Sequence, residues 1–299
     1  MKQLTVSASP HAHSNASTAK IMLCVLLALL PAAMTGCLNF GINALLLLAF
    51  TTGSAVLFEL LCRLILRRPQ TVQDCSAAVT GLLLGMTLPP GVPLWEAVLG
   101  SFIAIVIVKQ IFGGLGQNFV NPALTARLVL LVAFPEDLSV WQKLPVSSYW
   151  DLFLGNTAGC IGEGCALGLL LGAVFLCMNR IISPVTPLTC LGSFALLTFL
   201  GGFDVPAELL SGGLLLGACF MATDYATTPL TVHGKFLFGL GCGCITFFVR
   251  HYGGYPEGVY FAILLMNLLT PLLDRLTKTR QFGAVPLQKR PKPKHAADI

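Results

Sequence analysis

The segment Met221–Pro229 places a carboxylate, Asp224, at the point where a strongly apolar stretch breaks at a proline. An acid within or beside a membrane helix costs ~2.5–3.5 kcal/mol on insertion scales, so it usually serves a function. Thr227 and Thr228 lie in the same break, and Pro229 keeps Thr228 out of helical geometry. Their hydroxyls and the Asp224 carboxylate could bind a ligand, or they could simply cap the next helix.

A second polar segment, Lys109–Arg127, combines glycines, amides and two cations. The glycines allow close backbone approach, and the amide of Asn121 can both donate and accept hydrogen bonds. Arg127 lies in an otherwise apolar helix, where a buried guanidinium needs an anionic partner. Asp224 or a bound phosphate could be that partner, and the alternative is that Arg127 reaches the lipid surface.

Together these two segments predict a central transport or cofactor site, and no residue of the chain is predicted to be catalytic. The candidate residues are Asn121, Arg127, Asp224, Thr227 and Thr228. The eleven cysteines predict no metal site, because the close pairs Cys160/Cys165 and Cys242/Cys244 lack the spacing of a zinc or iron–sulfur centre.

The composition is that of a membrane protein with many spans. Of 299 residues, 55% are hydrophobic and 10% charged, and the mean hydropathy is +0.81, whereas about a quarter of the residues of a soluble domain are charged. The apolar stretches use nearly the whole chain, so the remaining pieces have no room for a nucleotide-binding or iron–sulfur domain. The net charge of +5 is concentrated at predicted cytoplasmic helix ends and does not indicate nucleic-acid binding.

Because a membrane-spanning helix needs about 20 apolar residues, the sequence predicts an all-α integral membrane protein of about ten transmembrane helices. Their ranges are 20–38, 41–65, 74–90, 93–112, 120–134, 164–182, 185–202, 206–222, 234–250 and 257–275. The predicted organisation is a cytoplasmic segment 1–19, a single transmembrane domain 20–275 and a basic cytoplasmic tail 276–299. Within the domain, repeat one (20–134) and repeat two (164–275) flank an outer loop, 135–163.

The flanking charges predict the orientation. Basic residues recur at the inner helix ends, whereas the loop 135–163 carries four acids and one lysine, in agreement with the positive-inside rule. Both termini are therefore predicted to be cytoplasmic. Arg250 is the one exception, since it falls on the outer side.

The two halves share an order of features. Gly81-Leu-Leu-Leu-Gly85 and Gly213-Leu-Leu-Leu-Gly217 each precede a broken helix, a long helix and a Gly-Gly turn. Five helices per half is an odd number, so the second half would insert upside down, giving two inverted repeats whose broken helices meet near the midplane. The alternative is chance similarity between Leu- and Gly-rich membrane helices.

Several dispersed motifs resemble the RnfD/NqrB family, and specifically the RnfD subunit of Rnf-type ion-translocating electron transport complexes, from about residue 4 to residue 275. They are Ser7-Ala-Ser-Pro-His11, Lys109-Gln-Ile-Phe-Gly-Gly114, Asn121-Pro-Ala-Leu124, Asp151-Leu-Phe-Leu-Gly-Asn156, Gly162-Glu163, Met221-Ala-Thr-Asp224, Gly253-Gly-Tyr-Pro-Glu-Gly258 and Met266-Asn267. The resemblance implies a multi-pass component of a translocase in the bacterial cell (inner) membrane. Within that complex, electrons would pass between ferredoxin and NAD while Na⁺ or H⁺ moves, and this component would bind flavin.

The chain departs from the family in one segment. Family members carry a Ser-x-Ala-Thr segment in the outer loop, whose Thr is esterified to the phosphate of FMN, but here the loop 141–150 runs directly into Asp151 without it. Ser147 and Ser148 are nearby hydroxyls that an attachment enzyme should not recognise. The implied cofactor is therefore FMN without its usual covalent attachment, or a noncovalent riboflavin.

A different class of function fits the same architecture. Inverted repeats with broken helices also resemble urea channels, so a stand-alone channel or secondary transporter for a small polar solute is the alternative. The missing flavin-attachment segment favours that alternative, whereas the dispersed motifs favour the redox complex.

Overall fold

The computed structural model describes residues 17–139, 149–154 and 159–278, and within these ranges the chain is helical with no β-strand. The helices are α1 (Thr18–Phe40), α2 (Ile42–Ile65), α3 (Ser76–Met86), α4 (Leu94–Phe102), α5 (Pro122–Ala133), α6 (Pro135–Ser139), α7 (Tyr149–Leu154), α8 (Ala166–Met178), α9 (Val185–Leu200), α10 (Val205–Leu210), α11 (Leu214–Leu216), α12 (Val232–Tyr252) and α13 (Gly258–Leu276). A 3₁₀ turn covers Val72–Asp74, and π-helical segments continue α4 over Ile103–Gln110 and α11 over Gly217–Met221.

Four of these helices, α1, α2, α12 and α13, are long and apolar enough to cross a membrane, and α3, α5, α8 and α9 are shorter apolar helices. The prediction of an all-helical membrane protein is therefore confirmed. The N-terminal segment, most of the outer loop and most of the tail lie outside the described residues.

The predicted helix 206–222 is wrong as a single element, because it is interrupted at Ser211–Gly213. Gly212 and Gly213 adopt positive φ angles of 63° and 66°, which favour glycine. Arg250, the basic residue predicted on the outer side, donates to the carbonyl oxygens of Ser211 (3.2 Å) and Gly212 (3.3 Å). It also pairs with Glu208 at 2.9 Å, so this arginine stabilises the interruption.

Small residues bring helices of the two halves into close contact. A Cβ atom on Gly172 of α8 would overlap the carbonyl oxygen of Ala28 in α1, and one on Gly36 of α1 would overlap that of Ile161. Close backbone approach through small residues is how membrane helices gain packing energy where burial from water contributes little. The two halves therefore form one packed unit around a shared core.

The first break, residues 87–93, follows α3 and exposes carbonyl groups to an apolar surrounding. The segment after α7 supplies two donors: the amide of Gly162 to the Met86 oxygen at 2.8 Å, and that of Ile161 to the Leu88 oxygen at 3.2 Å. Arg127 Nε donates to the Thr87 oxygen at 2.9 Å. Irregular backbone in a membrane domain survives only with such partners.

The second break, residues 222–231, is held by side chains of both halves. Asn121 Nδ2 donates to the carbonyl oxygen of Met221 at 3.4 Å, and the Thr270 hydroxyl donates to that of Thr227 at 2.9 Å. With its side-chain amide oriented to match its neighbours, Asn267 donates to the backbone oxygen of Thr227 (3.3 Å). It accepts from the backbone N–H of Asn121 (3.2 Å). The two predicted breaks therefore exist. The first is completed by α5 and by the outer loop, and the second by side chains of both halves.

The partner of Arg127 is Glu257, not Asp224 or a phosphate as the sequence suggested. Arg127 Nη2 lies 2.7 Å from Glu257 Oε2, with side chains 1% and 7% exposed. The expectation that Arg127 pairs across the halves holds, but α13 begins directly after Glu257 and so presents this acid instead. Asp224 lies in the second break, where it lines a cavity together with Lys109 and Asn121 of the first half.

Two further groups complete the cluster around this ion pair. The Cys160 thiol donates to Glu257 Oε1 at 3.0 Å, and the Tyr260 hydroxyl donates to Glu163 Oε1 at 2.9 Å. Ligand atoms of Cys160, Glu163 and Glu257 all lie within 4.8 Å of one another, a spacing that a metal ion could use. Because the Arg127 guanidinium already occupies Glu257, the geometry fits a hydrogen-bonded ion pair better than a metal centre.

The Arg127–Glu257 pair generates a stability prediction. Arg127→Met should lower the free energy of unfolding by about 3–5 kcal/mol, because it leaves a carboxylate buried without its cation. The double variant Arg127→Met/Glu257→Gln removes both charges and should recover most of that loss. Unfolding of the purified chain in detergent measures both effects. A single variant as stable as the unmodified chain would contradict a buried, mutually dependent pair.

Candidate functional site

A cavity of about 90 Å³, here called the central cavity, lies where the first half meets the second break. Its polar lining includes Ser76, Lys109, Asn118, Asn121 and Asp224, and apolar side chains such as Leu83 and Phe220 form much of the remaining wall. A largely apolar cavity with a few converging polar groups is the usual form of a ligand site.

The cation of the cavity, Lys109, is positioned by a π-helix. The wider π-helical turn over Ile103–Gln110 brings the consecutive side chains of Lys109 and Gln110 onto the same acid, Glu59 of α2. Lys109 Nζ lies 3.0 Å from Glu59 Oε1, and Gln110 Nε2 donates to that oxygen at 2.9 Å. Lys109 also donates to the Ser76 hydroxyl at 2.6 Å. Single π-helical turns often mark functional sites, and this one places a buried ammonium at the cavity wall.

Polar atoms beside this ion pair remain without a partner in the described residues. They are Glu59 Oε2, Gln110 Oε1 and Arg63 Nε, all buried. Buried polar atoms in native proteins are nearly always hydrogen-bonded, to protein or to small ligands such as water. Two acceptors and one donor around the Lys109–Glu59 pair therefore keep unused hydrogen-bonding capacity.

Asp224 supplies the carboxylate of the cavity and also stabilises its own turn. Its Oδ1 accepts from the Ala226 amide and its Oδ2 from the Thr227 hydroxyl, both at 3.4 Å. These are long hydrogen bonds, which leave lone pairs of the carboxylate for a further ligand. Asp224 does not cap α12, since the hydroxyl of Thr231 accepts from Gly234 there.

Asn121 has a positional role that its amide chemistry alone did not reveal. Its Oδ1 accepts from the amides of Ala123 and Leu124, so it is the N-cap of α5, while its Nδ2 binds the Met221 oxygen of the second break. One side chain thus fixes the start of α5 and connects it to the other half. Its remaining capacity for a ligand is limited by these contacts.

The other three predicted site residues do not line the central cavity. Thr227 is buried and its hydroxyl binds Asp224, so it lies behind the carboxylate. Thr228 lines a neighbouring cavity instead, and its hydroxyl donates to the Asp224 carbonyl oxygen. Arg127 belongs to the Glu257 cluster and does not line the central cavity.

Sequence reasoning missed Ser76 and Glu59, and it did not select Lys109, Asn118 and Asn267 as site residues. Glu59 had a readable signal, because it is an acid inside the apolar span of α2 and such residues are costly without a function. The role of Ser76 had no local signal, since it lies 33 positions from Lys109. Asn267 was noted only within a motif, yet it joins Asn121 to the second break.

Comparison with known proteins agrees with this architecture. Residues 5–283 match the family described as "NQR2, RnfD, RnfE family". The chain is 45% identical to the D subunit of the Na(+)-translocating ferredoxin:NAD(+) oxidoreductase complex of Acetobacterium woodii, over 97% of this chain and 98% of that protein.

A second relative, the D subunit of the proton-translocating ferredoxin:NAD(+) oxidoreductase complex of Clostridium ljungdahlii, is 39% identical over 93% of this chain and 96% of its own length. The D subunit of the ion-translocating oxidoreductase complex of Stutzerimonas stutzeri is 38% identical, over 89% and 92% respectively. The match covers nearly all of each sequence, and it includes both breaks and the residues of the central cavity. The chain therefore belongs to the NQR2, RnfD, RnfE family.

Proposed function

We propose that this chain is a membrane subunit of a redox-driven ion pump, in which electrons pass between ferredoxin and NAD while Na⁺ or H⁺ crosses the bacterial cell membrane. The names of its relatives support this function over the stand-alone channel. The composition leaves no room for a nucleotide-binding domain, so the reactions of ferredoxin and NAD belong to other subunits of the complex.

The observation that carries the proposal is the central cavity, which presents a buried lysine and an acid from opposite halves. Asp224 offers carboxylate oxygens, which hard cations such as Na⁺ prefer as ligands and which can equally hold a proton. Lys109 faces the same cavity, and its charge opposes a second cation there. An ion that binds Asp224 would therefore be sensitive to any change in charge at the Lys109–Glu59 pair.

This arrangement suggests how coupling works. A redox group near the cavity would couple electron transfer to ion binding, because an added negative charge would strengthen the attraction of a cation to Asp224 in a low-dielectric interior. Removal of that charge would weaken the binding and allow the ion to leave. Asp224 would hold the cation, and the charge of the Lys109–Glu59 pair would set how strongly that cation binds.

The central cavity suits a flavin in chemistry but not in volume. The amides of Asn118 and Asn121 could meet the polar edge of an isoalloxazine ring, and Phe220 lies in the apolar wall. However, a volume of about 90 Å³ is below the roughly 150 Å³ that accommodates one benzene ring. The ring does not fit this conformation, so the redox group invoked above would lie outside the central cavity.

Asp224 provides the test of coupling. Asp224→Asn can keep the turn, because its Oδ1 still accepts from the Ala226 amide and its Nδ2 can donate to the Thr227 hydroxyl oxygen. We expect the complex to assemble with normal stability but to lose ion uptake into vesicles during ferredoxin:NAD electron transfer. The matched control is Asp204→Asn, which changes an exposed acid that does not line the cavity. Unchanged ion uptake in Asp224→Asn would show that this residue serves only its turn.

The covalent state of the flavin is a separate prediction. Because the loop 141–150 lacks the Ser-x-Ala-Thr segment, we expect no FMN phosphoester between residues 134 and 164, and any bound flavin should be released by denaturation. Peptide mass spectrometry and the absorbance of the acid-precipitated protein check this. Most of that loop lies outside the described residues. A flavin adduct within it would refute the prediction, and an adduct at Thr227 or Thr228 would place the attachment in the second break.

The inverted-repeat topology is also part of the proposal. The basic helix ends support cytoplasmic termini and an outer loop 135–163, and the five spans predicted from the sequence for each half would require opposite insertion. A membrane-impermeant thiol reagent applied to whole cells should label a cysteine placed at Lys143 and spare one placed at Lys292, with the unmodified chain as background. Both positions lie outside the described residues. The reverse labelling pattern would exclude inverted repeats with this orientation.

A further inference from the structure

A second cavity, of about 310 Å³, lies where α8 ends, α9 begins and the second break turns toward α12. Tyr225 and Thr223 line both this second cavity and the central cavity. The Tyr225 hydroxyl donates to the Ile181 carbonyl oxygen, which holds the ring between the two spaces. The second cavity is thus a separate space next to the site described above.

Two cations line the second cavity. They are Arg180, which follows α8, and Lys235 in the first turn of α12, and neither makes an ion pair with any residue that the structure describes. Among the described residues that line this cavity none is acidic. The nearest acid along the chain is Asp224, whose carboxylate faces the central cavity. The second cavity therefore concentrates positive charge.

The N-terminus of α9 adds backbone donors to this charge. The helix Val185–Leu200 has 16 residues, no side chain caps its first turn and no acid lies within that turn. Because Pro187 has no N–H, the free donors of this turn are the amides of Val185 and Thr186, which carry the positive end of the helix dipole, a preferred site for anions. Ser183 and Pro184 precede the helix at the cavity wall.

The hydroxyl groups at this helix end are also available. Thr186 is 2% exposed and lines the cavity, yet its hydroxyl makes no hydrogen bond in the part of the chain that the structure describes, and the same holds for the hydroxyl of Ser183. A polar side chain this deeply buried normally has a partner. The Thr186 oxygen is not one of the fully buried atoms without a partner, so it is open to the cavity and free to bind a ligand at this uncapped helix N-terminus.

We propose that the second cavity binds a phosphate group. Arg180 and Lys235 neutralise its charge, while the Ser183 and Thr186 hydroxyls and the first amides of α9 donate to its oxygens. Phosphate matches this set because several oxygens around one centre can accept from donors on different elements. The phosphate belongs either to a phospholipid headgroup, since basic pockets between membrane helices bind such groups, or to a soluble phosphate. This proposal does not depend on the ion-pumping function.

Thermal unfolding of the full chain in a maltoside detergent tests the site and separates the two sources. One arm adds inorganic phosphate at constant ionic strength, with chloride as the reference salt. The other adds phosphatidylglycerol, with diacylglycerol as the matched lipid that lacks the headgroup phosphate. Each arm is measured on the unmodified chain, Arg180→Gln, Lys235→Gln and Thr186→Val, with Arg275→Gln as the control for loss of one exposed cation elsewhere.

We expect the phosphate-bearing ligand to raise the unfolding temperature of the unmodified chain and of Arg275→Gln. Each cavity variant should need at least about tenfold more ligand for the same increase, as expected from losing one hydrogen bond to a charged group. Thr186→Val preserves shape and net charge, so its effect reports on the hydroxyl rather than on folding.

The pattern of results identifies the source or rejects the site. A response to inorganic phosphate with these variant effects identifies a soluble phosphate, and a response only to phosphatidylglycerol identifies a lipid headgroup. Stabilisation that is equal in all variants and the control would reflect general charge attraction and overturn the proposal. The absence of stabilisation in both arms would overturn it as well.

Discussion

Backbone polar groups that leave a helix inside an apolar surrounding must find partners, and the architecture of this chain depends on how its two breaks meet that requirement. The carbonyl groups of the first break accept from Arg127 and from the amides of the segment after α7. Those of the second break accept from Asn121, Asn267 and Thr270. The first break is therefore completed by α5 and the outer loop, and the second by both halves, so each break is stable only after distant parts of the chain have packed against it.

The two buried ion pairs also join distant parts of the chain. Lys109 with Glu59 and Arg127 with Glu257 are ion pairs removed from water, and such pairs seldom add net stability, because desolvation offsets the attraction. Their value is positional, since an alternative packing would leave one charge unpaired at a cost of several kcal/mol. The Arg127 pair connects α5 to the start of α13. The Lys109 pair connects the π-helical segment to α2 and places the ammonium at the central cavity.

The sequence was sufficient for the class of protein, the positions of most helices and both breaks. Helix positions follow from local hydropathy, because about 20 apolar residues are needed to span a bilayer whatever their tertiary partners. The interruption at Ser211–Gly213 was missed, since the surrounding residues remain apolar. Its cause lies in two positive φ angles and in Arg250, which binds freed carbonyl groups 38 and 39 positions away along the chain.

For the candidate site, the sequence predicted some of the residues but not which residues pair with one another. Sequence alone singled out Asp224 and Asn121 as polar groups where an apolar chain breaks, and both lie at the central cavity, because the cost of polar atoms in an apolar segment is a local property. Only the tertiary structure decided the partners: Glu257 rather than Asp224 for Arg127, Glu59 and Ser76 for Lys109, and Asn267 for the second break. Pairing depends on which helix ends meet in space, and residues 33 to 130 positions apart carry no periodic signal that links them.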